Sequence, residues 1–167
     1  NELRRLQELG WVLYGGTAIA LRLGHRASVD FDFFNDQALQ RESLTAVCPV
    51  LDRAVVLQER SDTLTLLAAV PAAVDAGVKV SFFGGLGFGR VGVPQLTDDR
   101  VAQVASVEDL LAHKLKVLLQ RVEAKDYIDI AALIRAGVRL EQALAAARAM
   151  FGVAFQPSEC LKALVYF

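Results

Sequence analysis

The chain has 167 residues, one domain's length, with 54% hydrophobic residues, 22% charged residues and a mean hydropathy of +0.36. That balance is too apolar for a disordered chain. Every run free of Asp, Glu, Lys and Arg is too short to span a bilayer; residues 63–74, one of the two longest, also contain Pro71. Lys and Arg number 18 against 19 Asp and Glu, a net charge of −1, so any surface for nucleic acid has to be local. Cys48 and Cys160 form no disulfide framework, and with only His25 and His113 beside them they make no zinc site; reduced thiols and a cytoplasmic location are expected. No initiator Met or signal-peptide core opens the chain and residues 161–167 end it inside an apolar run, so both ends read as cut rather than natural.

Leu3, Leu6 and Leu9 predict a short opening helix closed by Gly10. Residues 11–14 form an apolar run ended by Gly15-Gly16, a buried strand, after which Thr17 is the expected N-cap of a helix over 18–23 that Gly24 stops. Residues 29–34 read as a strand with Asp30 and Asp32 on one face and Phe31 and Phe33 on the other. A helix is expected over 37–51, strands over 54–58 and 63–69, and an alternating strand over 78–83. Gly84 to Gly92 lacks dinucleotide-fingerprint spacing and reads as a hairpin loop.

Beyond Ser106, an N-terminal signal and the Leu-rich stripe from Leu110 to Val122 predict a long helix. Further helices are expected over 126–135, 141–150 and from about Ser158. The expected class is α+β, a mixed sheet flanked by helices, with an α/β core over 1–105 and a helical part over 106–167 packed on it.

The chemistry concentrates in two places. A strand ending in Gly-Gly at a helix N-terminus exposes backbone N–H groups to an anion, with the helix dipole adding positive potential. Carboxylates at i and i+2, here Asp30 and Asp32, can share a divalent cation whose remaining ligands are phosphates. Either motif alone is more often structural, but two carboxylates alternating with Phe31 and Phe33 would be costly without a function. Downstream, on a continuous helix Lys114, Arg121 and Lys125 would fall within about half a right angle of one another, suited to triphosphate or to an RNA backbone. No acid lies within Lys114's own turn, so its replacement is expected to leave stability almost unchanged. His25 reads as a helix C-cap partner, and Asp129 as a structural residue.

Together, Gly15-Gly16-Thr17-Ala18, residues 21–26 and the run Ser28-Val29-Asp30-Phe31-Asp32-Phe33 resemble the signature of the AbiEii/AbiGii-type toxin nucleotidyltransferases of the DNA polymerase β-like superfamily. His113-Lys114-Leu115, Arg121 and the run from Lys125 to Ile130 resemble that family's downstream block, and residues 78–82 resemble the strand following the metal pair. The resemblance implies a nucleotidyltransferase acting as an abortive-infection or toxin–antitoxin toxin, with NTP as substrate, Mg²⁺ or Mn²⁺ as cofactor, and RNA or tRNA as acceptor. A cognate antitoxin is the implied protein partner. It implies catalytic roles for Asp30, Asp32 and Lys114, with Asp30 and Asp32 as metal ligands. Nucleotide contacts are expected from Gly15, Gly16, Thr17, Arg26, Ser28, Lys79, Arg121, Lys125 and Asp126. Ser81 departs from the pattern, standing where the superfamily carries a third carboxylate; a hydroxyl is a weaker metal ligand and a poorer base. The competing readings are a small-molecule acceptor such as an aminoglycoside, and an attenuated NTP-binding or antitoxin-binding module.

Overall fold

The computed structural model describes residues 2–69 and 77–166, of Glu2 the backbone alone; the end of the uncharged run, from residue 70, lies outside them. A 3₁₀ helix, Glu2–Leu9, leads into β1 (Val12–Tyr14), α1 (Gly15–Leu23) and β2 (Phe31–Phe34). Next come α2 (Arg41–Val47), a 3₁₀ turn (Pro49–Arg53), β3 (Val55–Arg60), β4 (Thr63–Ala68) and β5 (Val78–Phe83). Two short strands, β6 (Gln95–Leu96) and β7 (Gln103–Val104), precede α3 (Val107–Leu118), α4 (Ala124–Arg135), α5 (Leu140–Phe151) and α6 (Pro157–Leu164). The strands form one mixed sheet in the order β3-β4-β5-β2-β1-β7-β6, parallel at β1–β7 and β2–β5. This is the α+β arrangement expected. Among the described residues no helix is long and apolar enough to cross a membrane.

The alternation of β2 and β5 separates two sheet faces, because residues paired in register share a face. One carries Phe33, Phe82 and Leu64, with Trp11 set edge-on against Phe82 at 5.2 Å. The other carries Tyr14, Asp32, Phe34, Ser81 and Phe83, and His113 of α3 packs on it, 5.0 Å from the Phe34 ring. The buried core draws on residues either side of position 105, among them Leu13 and Phe33 from the sheet and Leu111, Leu115, Leu133 and Ala147 from the helices.

Several local expectations change. The helix expected over 37–51 is shorter and split: Pro49 has no N–H to donate and disfavours α geometry at Cys48, which sits at φ −134°. Helix α1 starts at Gly15, two residues before Thr17, with Tyr14 as its N-cap; the C-cap is Gly24, at φ +61°. Strand β2 begins at Phe31, leaving Val29 exposed. The glycine-rich loop is no hairpin, since β5 and β6 are not neighbours in the sheet. It is pinned instead by the Asp109 carboxylate, which accepts the N–H groups of Val91 and Gly92 at 2.9 and 3.1 Å. The long helix ends early, at Leu118: Leu119 and Gln120 close i→i−3 turns onto Lys116 and Val117, and α4 starts at Ala124, two residues before expected, so Lys114, Arg121 and Lys125 do not lie on one continuous helix. At the start of α3 the Ser106 side chain accepts the Asp109 N–H, the expected N-cap.

Candidate active site

Tyr14, at the end of β1, is paired with Asp32, so the turn into α1 rises beside the second carboxylate. Gly15 adopts φ +73°, which an L side chain rarely takes, and a Cβ there would lie 2.7 Å from Asp32 Oδ2. A Cβ at Gly16 would collide with the Arg26 guanidinium and stand 3.2 Å from Ser28 Oγ. Both glycines therefore let side chains crowd the helix N-terminus, whose first N–H groups have no partner within the helix. Thr17 is turned away: its hydroxyl donates to the Asp30 carbonyl oxygen and lies 2.9 Å from Ser28 Oγ, which anchors the segment entering β2.

Asp30 is partly exposed and faces Lys79 Nζ at 3.2 Å. Asp32 is more enclosed, and burial raises its carboxyl above the usual range, with the Asp30 charge adding to the rise; Lys79, Ser81 and Lys114 act against it. Ser81 is paired with Asp32 in register, which sets its hydroxyl beside the carboxylate whose charge it helps to hold. The strand carrying the unusual serine thus lies where the resemblance implies, beside the carboxylate pair.

Facing the pair, α3 and α4 build a wall of ions. Lys114 Nζ lies 2.7 Å from both Asp126 Oδ1 and Asp129 Oδ2, and both carboxylates are fully buried. Asp129 also accepts Arg26 Nε at 2.6 Å and Nη2 at 2.9 Å, and contacts His25 Nε2 at 2.7 Å. Burial alone would raise the Asp129 carboxyl; hydrogen bonds from Arg26, Lys114 and His25 outweigh it and hold the group at about 2. Asp126 accepts Arg121 Nε at 3.0 Å, and its carboxyl is likewise lowered, by Arg121 and Lys114 against the effect of burial. His25 is therefore a partner of Asp129 rather than a C-cap, and Lys114 is a buried junction rather than a free cation on a stripe. Lys125 and Arg121 are half exposed and share Glu123, at 2.9 and 3.3 Å.

An open cleft of about 420 Å³ collects these groups: Gly15, Gly16, Arg26, Ser28, Asp30, Asp32, Lys114, Arg121 and Lys125 all line it. Of the residues singled out from sequence, Thr17, Lys79 and Asp126 stand behind or beside that lining. His113, missed as a site residue, also lines the cleft; burial pushes its imidazole down to about 4, with the Lys114 and Arg121 charges adding. Its aromatic neighbours Tyr14 and Phe34 come from β1 and β2, so in the sequence it stood out only as the residue before Lys114 in the downstream block. Among the described residues no cluster of three or more His, Cys, Asp or Glu is placed to hold a metal, so two carboxylates are the anionic donors on offer. Two are enough for Mg²⁺, which keeps waters and takes phosphate oxygens for its other positions.

Known proteins share this fold. In fold, the chain is similar to an antigenic nucleotidyltransferase-like protein from Paracoccidioides brasiliensis, with TM-score 0.56 and 16% identity over 97% of this chain and 88% of that one. It is also similar to MenT4, a nucleotidyltransferase toxin of Mycobacterium tuberculosis, with TM-score 0.58 and 18% identity over 82% of this chain and 54% of that one. In sequence it is 32% identical over 125 residues to the uncharacterized protein aq_aa25 of Aquifex aeolicus; the match covers 74% of this chain and 57% of that protein. The chain thus spans little more than half the length of the Aquifex and Mycobacterium proteins. The profile of the nucleotidyl transferase AbiEii toxin family, type IV TA system, matches residues 3–162. By that match the chain belongs to the AbiEii nucleotidyltransferase toxin family.

Proposed function

We propose that this chain binds an NTP with a divalent cation in the cleft and transfers its nucleotide to RNA, tRNA being the family's expected acceptor. The observation that carries this reading is the convergence, in one cleft, of the α1 N-terminus, the Asp30/Asp32 pair and the cations Arg26, Lys114, Arg121 and Lys125. Mg²⁺ or Mn²⁺ would be held by Asp30 and Asp32, and when bound would neutralise charge on the phosphates and on the departing pyrophosphate. The backbone N–H groups of Gly15, Gly16 and Thr17 donate to phosphate oxygens. Arg121 and Lys125, half exposed, reach the triphosphate directly. Lys114 already serves two carboxylates and has one of its three N–H donors left for a ligand. In the transfer an acceptor hydroxyl oxygen bonds to the α-phosphorus, the bond from that phosphorus to the β-phosphate bridging oxygen breaks, pyrophosphate leaves, and the hydroxyl proton passes to water. Ser81 offers no carboxylate to take that proton, which favours a slow transferase. The same feature supports the second reading, an attenuated NTP-binding module that engages an antitoxin. Either activity would be exercised in the cytoplasm, as expected for reduced Cys48 and Cys160.

The test replaces Asp30 and Asp32 together by Asn, keeping size while removing both anionic ligands. Calorimetry should show Mg²⁺-dependent NTP binding by the wild type and its loss in the double variant; equal affinity in the two refutes the metal assignment. Incubating the wild type with each labelled NTP and total RNA separates the readings, since the transferase moves label to RNA and the attenuated module does not.

A further inference from the structure

The sheet continues well past the carboxylate pair. In register, Asp32 stands beside Ser81, Ser81 beside Thr65, and Thr65 beside Gln58, one row of side chains on the cleft-facing side that crosses β2, β5, β4 and β3. A second row runs Phe34, Phe83, Thr63, Arg60. At the usual strand spacing of about 4.8 Å, Gln58 lies roughly 14 Å from Asp32. The opposite side of β3 and β4 is committed to the fold: Leu64 and Leu66 are buried, and Glu59 pairs with Arg41 of α2 at 2.7 Å. The cleft-facing side opens beyond the buried Ser81, with Gln58 and Arg60 exposed and Thr63 and Thr65 partly so.

We infer that this side of the sheet, open over β4 and β3, is the acceptor track, and that it takes a single-stranded polyanion, an RNA end, through Thr65, Gln58 and Arg60. The inference rests on the transfer site proposed above and adds the direction of approach. Displacement at phosphorus puts the nucleophile and the leaving pyrophosphate at opposite ends. The α1 N-terminus and the cations of α3 and α4 gather on one side of Asp30 and Asp32 and take the pyrophosphate end. The incoming hydroxyl is left the other flank of β2, over Ser81 and Thr65. Charge then selects the acceptor. On the cleft side of β3, β4 and β5 the side chains are Val55, Gln58, Arg60, Thr63, Thr65, Leu67, Lys79, Ser81 and Phe83, without one carboxylate. Arg60 makes no ion pair among the described residues. A cationic aminoglycoside would meet Lys79 and Arg60 with no partner of its own beyond the metal pair, whereas a ribose-phosphate chain finds cations and neutral hydrogen-bonding groups in sequence.

The experiment measures binding of a short fluorescein-labelled single-stranded RNA to the whole chain by anisotropy across a salt series, beside calorimetry with Mg²⁺ and each of ATP, GTP, CTP and UTP. Arg60→Glu should weaken RNA binding about tenfold and flatten the salt dependence by about 0.7 or more per log unit, the contribution of one phosphate contact. Thr65→Val and Gln58→Ala should weaken it about threefold each, all three variants keeping the wild-type Mg²⁺–NTP affinity and melting temperature. RNA affinity and salt slope unchanged in Arg60→Glu overturn the track, as does a wild type that binds kanamycin but not RNA. Absence of binding by the wild type to Mg²⁺ with any of ATP, GTP, CTP and UTP refutes the transfer site, a result read independently of the RNA titration.

Discussion

Replacing Lys114 tests how the cation wall is held. Its ammonium lies 2.7 Å from each of two carboxylates whose side chains have no solvent exposure, and its own side chain is 6% exposed. Breaking a buried ion pair from one side costs about 3–5 kcal/mol, because the charge left behind is neither solvated nor paired. Here neither carboxylate is wholly abandoned: Asp126 keeps Arg121, and Asp129 keeps Arg26 and His25. The lower end of that range, about 3 kcal/mol, is therefore expected for Lys114→Ala, and for a chain of this size it lowers the melting temperature by about 6–12 °C. Lys114→Met, which keeps most of the aliphatic stem, should lose nearly as much if charge is the cause. Thermal melts at neutral pH and urea titrations give both numbers. A cycle combining Lys114→Met with Asp129→Asn should show a coupling of about 1 kcal/mol or more. If both single variants melt within about 2 °C of the wild type, the junction contributes no net stability and the reasoning is wrong.

Ser81→Asp should tighten Mg²⁺ binding and raise any transfer rate at saturating Mg²⁺, while Ser81→Asn should not; identical behaviour would mean position 81 is not at the metal despite its pairing with Asp32. Gly15→Ala should cost about 1–3 kcal/mol, from its φ of +73° and the 2.7 Å approach to Asp32 Oδ2, and lower nucleotide affinity with it, as urea unfolding and calorimetry would show. The His113 imidazole is pushed down from 6.5 to about 4, so between those values the unfolded chain binds the extra proton and folding weakens as pH falls. That difference amounts to about 3 kcal/mol, and urea titrations at pH 7 and pH 4 should show the loss in the wild type but not in His113→Phe. Asp129 acts in a lower window: its contribution is complete above its ordinary value of 3.8 and lost as pH falls through about 2, so acid should disturb His113 first.

What the sequence revealed and what it concealed divide along physical lines. The period-two pattern of 78–83 marked β5 to the residue, and Gly24 and Ser106 marked helix ends, because these signals are complete within a few neighbouring positions. The Gly15-Gly16 turn and the alternating Asp30 and Asp32 were legible for the same reason. The early end of α3 at Leu118 was not, because Leu119 and Val122 carry the apolar stripe past it. The short strands β6 and β7 have two residues each, too few for any periodicity. Asp129 meets His25 and Arg26 across more than a hundred positions, so its centrality appears only once α4 lies against α1. Lys114 was misjudged similarly: its acids are on the next helix, not in its own turn.

The closed arrangement of Asp126 and Asp129 constrains how this family of sequences can change. His25 and Arg26 follow α1, Lys114 is on α3, Arg121 lies in the link after it, and both acids are on α4. Loss of one member leaves a buried charge short of a partner, at a cost of about 3 kcal/mol or more against a typical total stability of about 5–15 kcal/mol. Such steps leave little margin, so lineages should pass from one arrangement to another by paired substitutions. In an alignment of relatives, Asp129 should therefore vary together with Arg26 and Lys114, and Asp126 with Lys114 and Arg121, while Glu123, exposed to water, drifts independently of them.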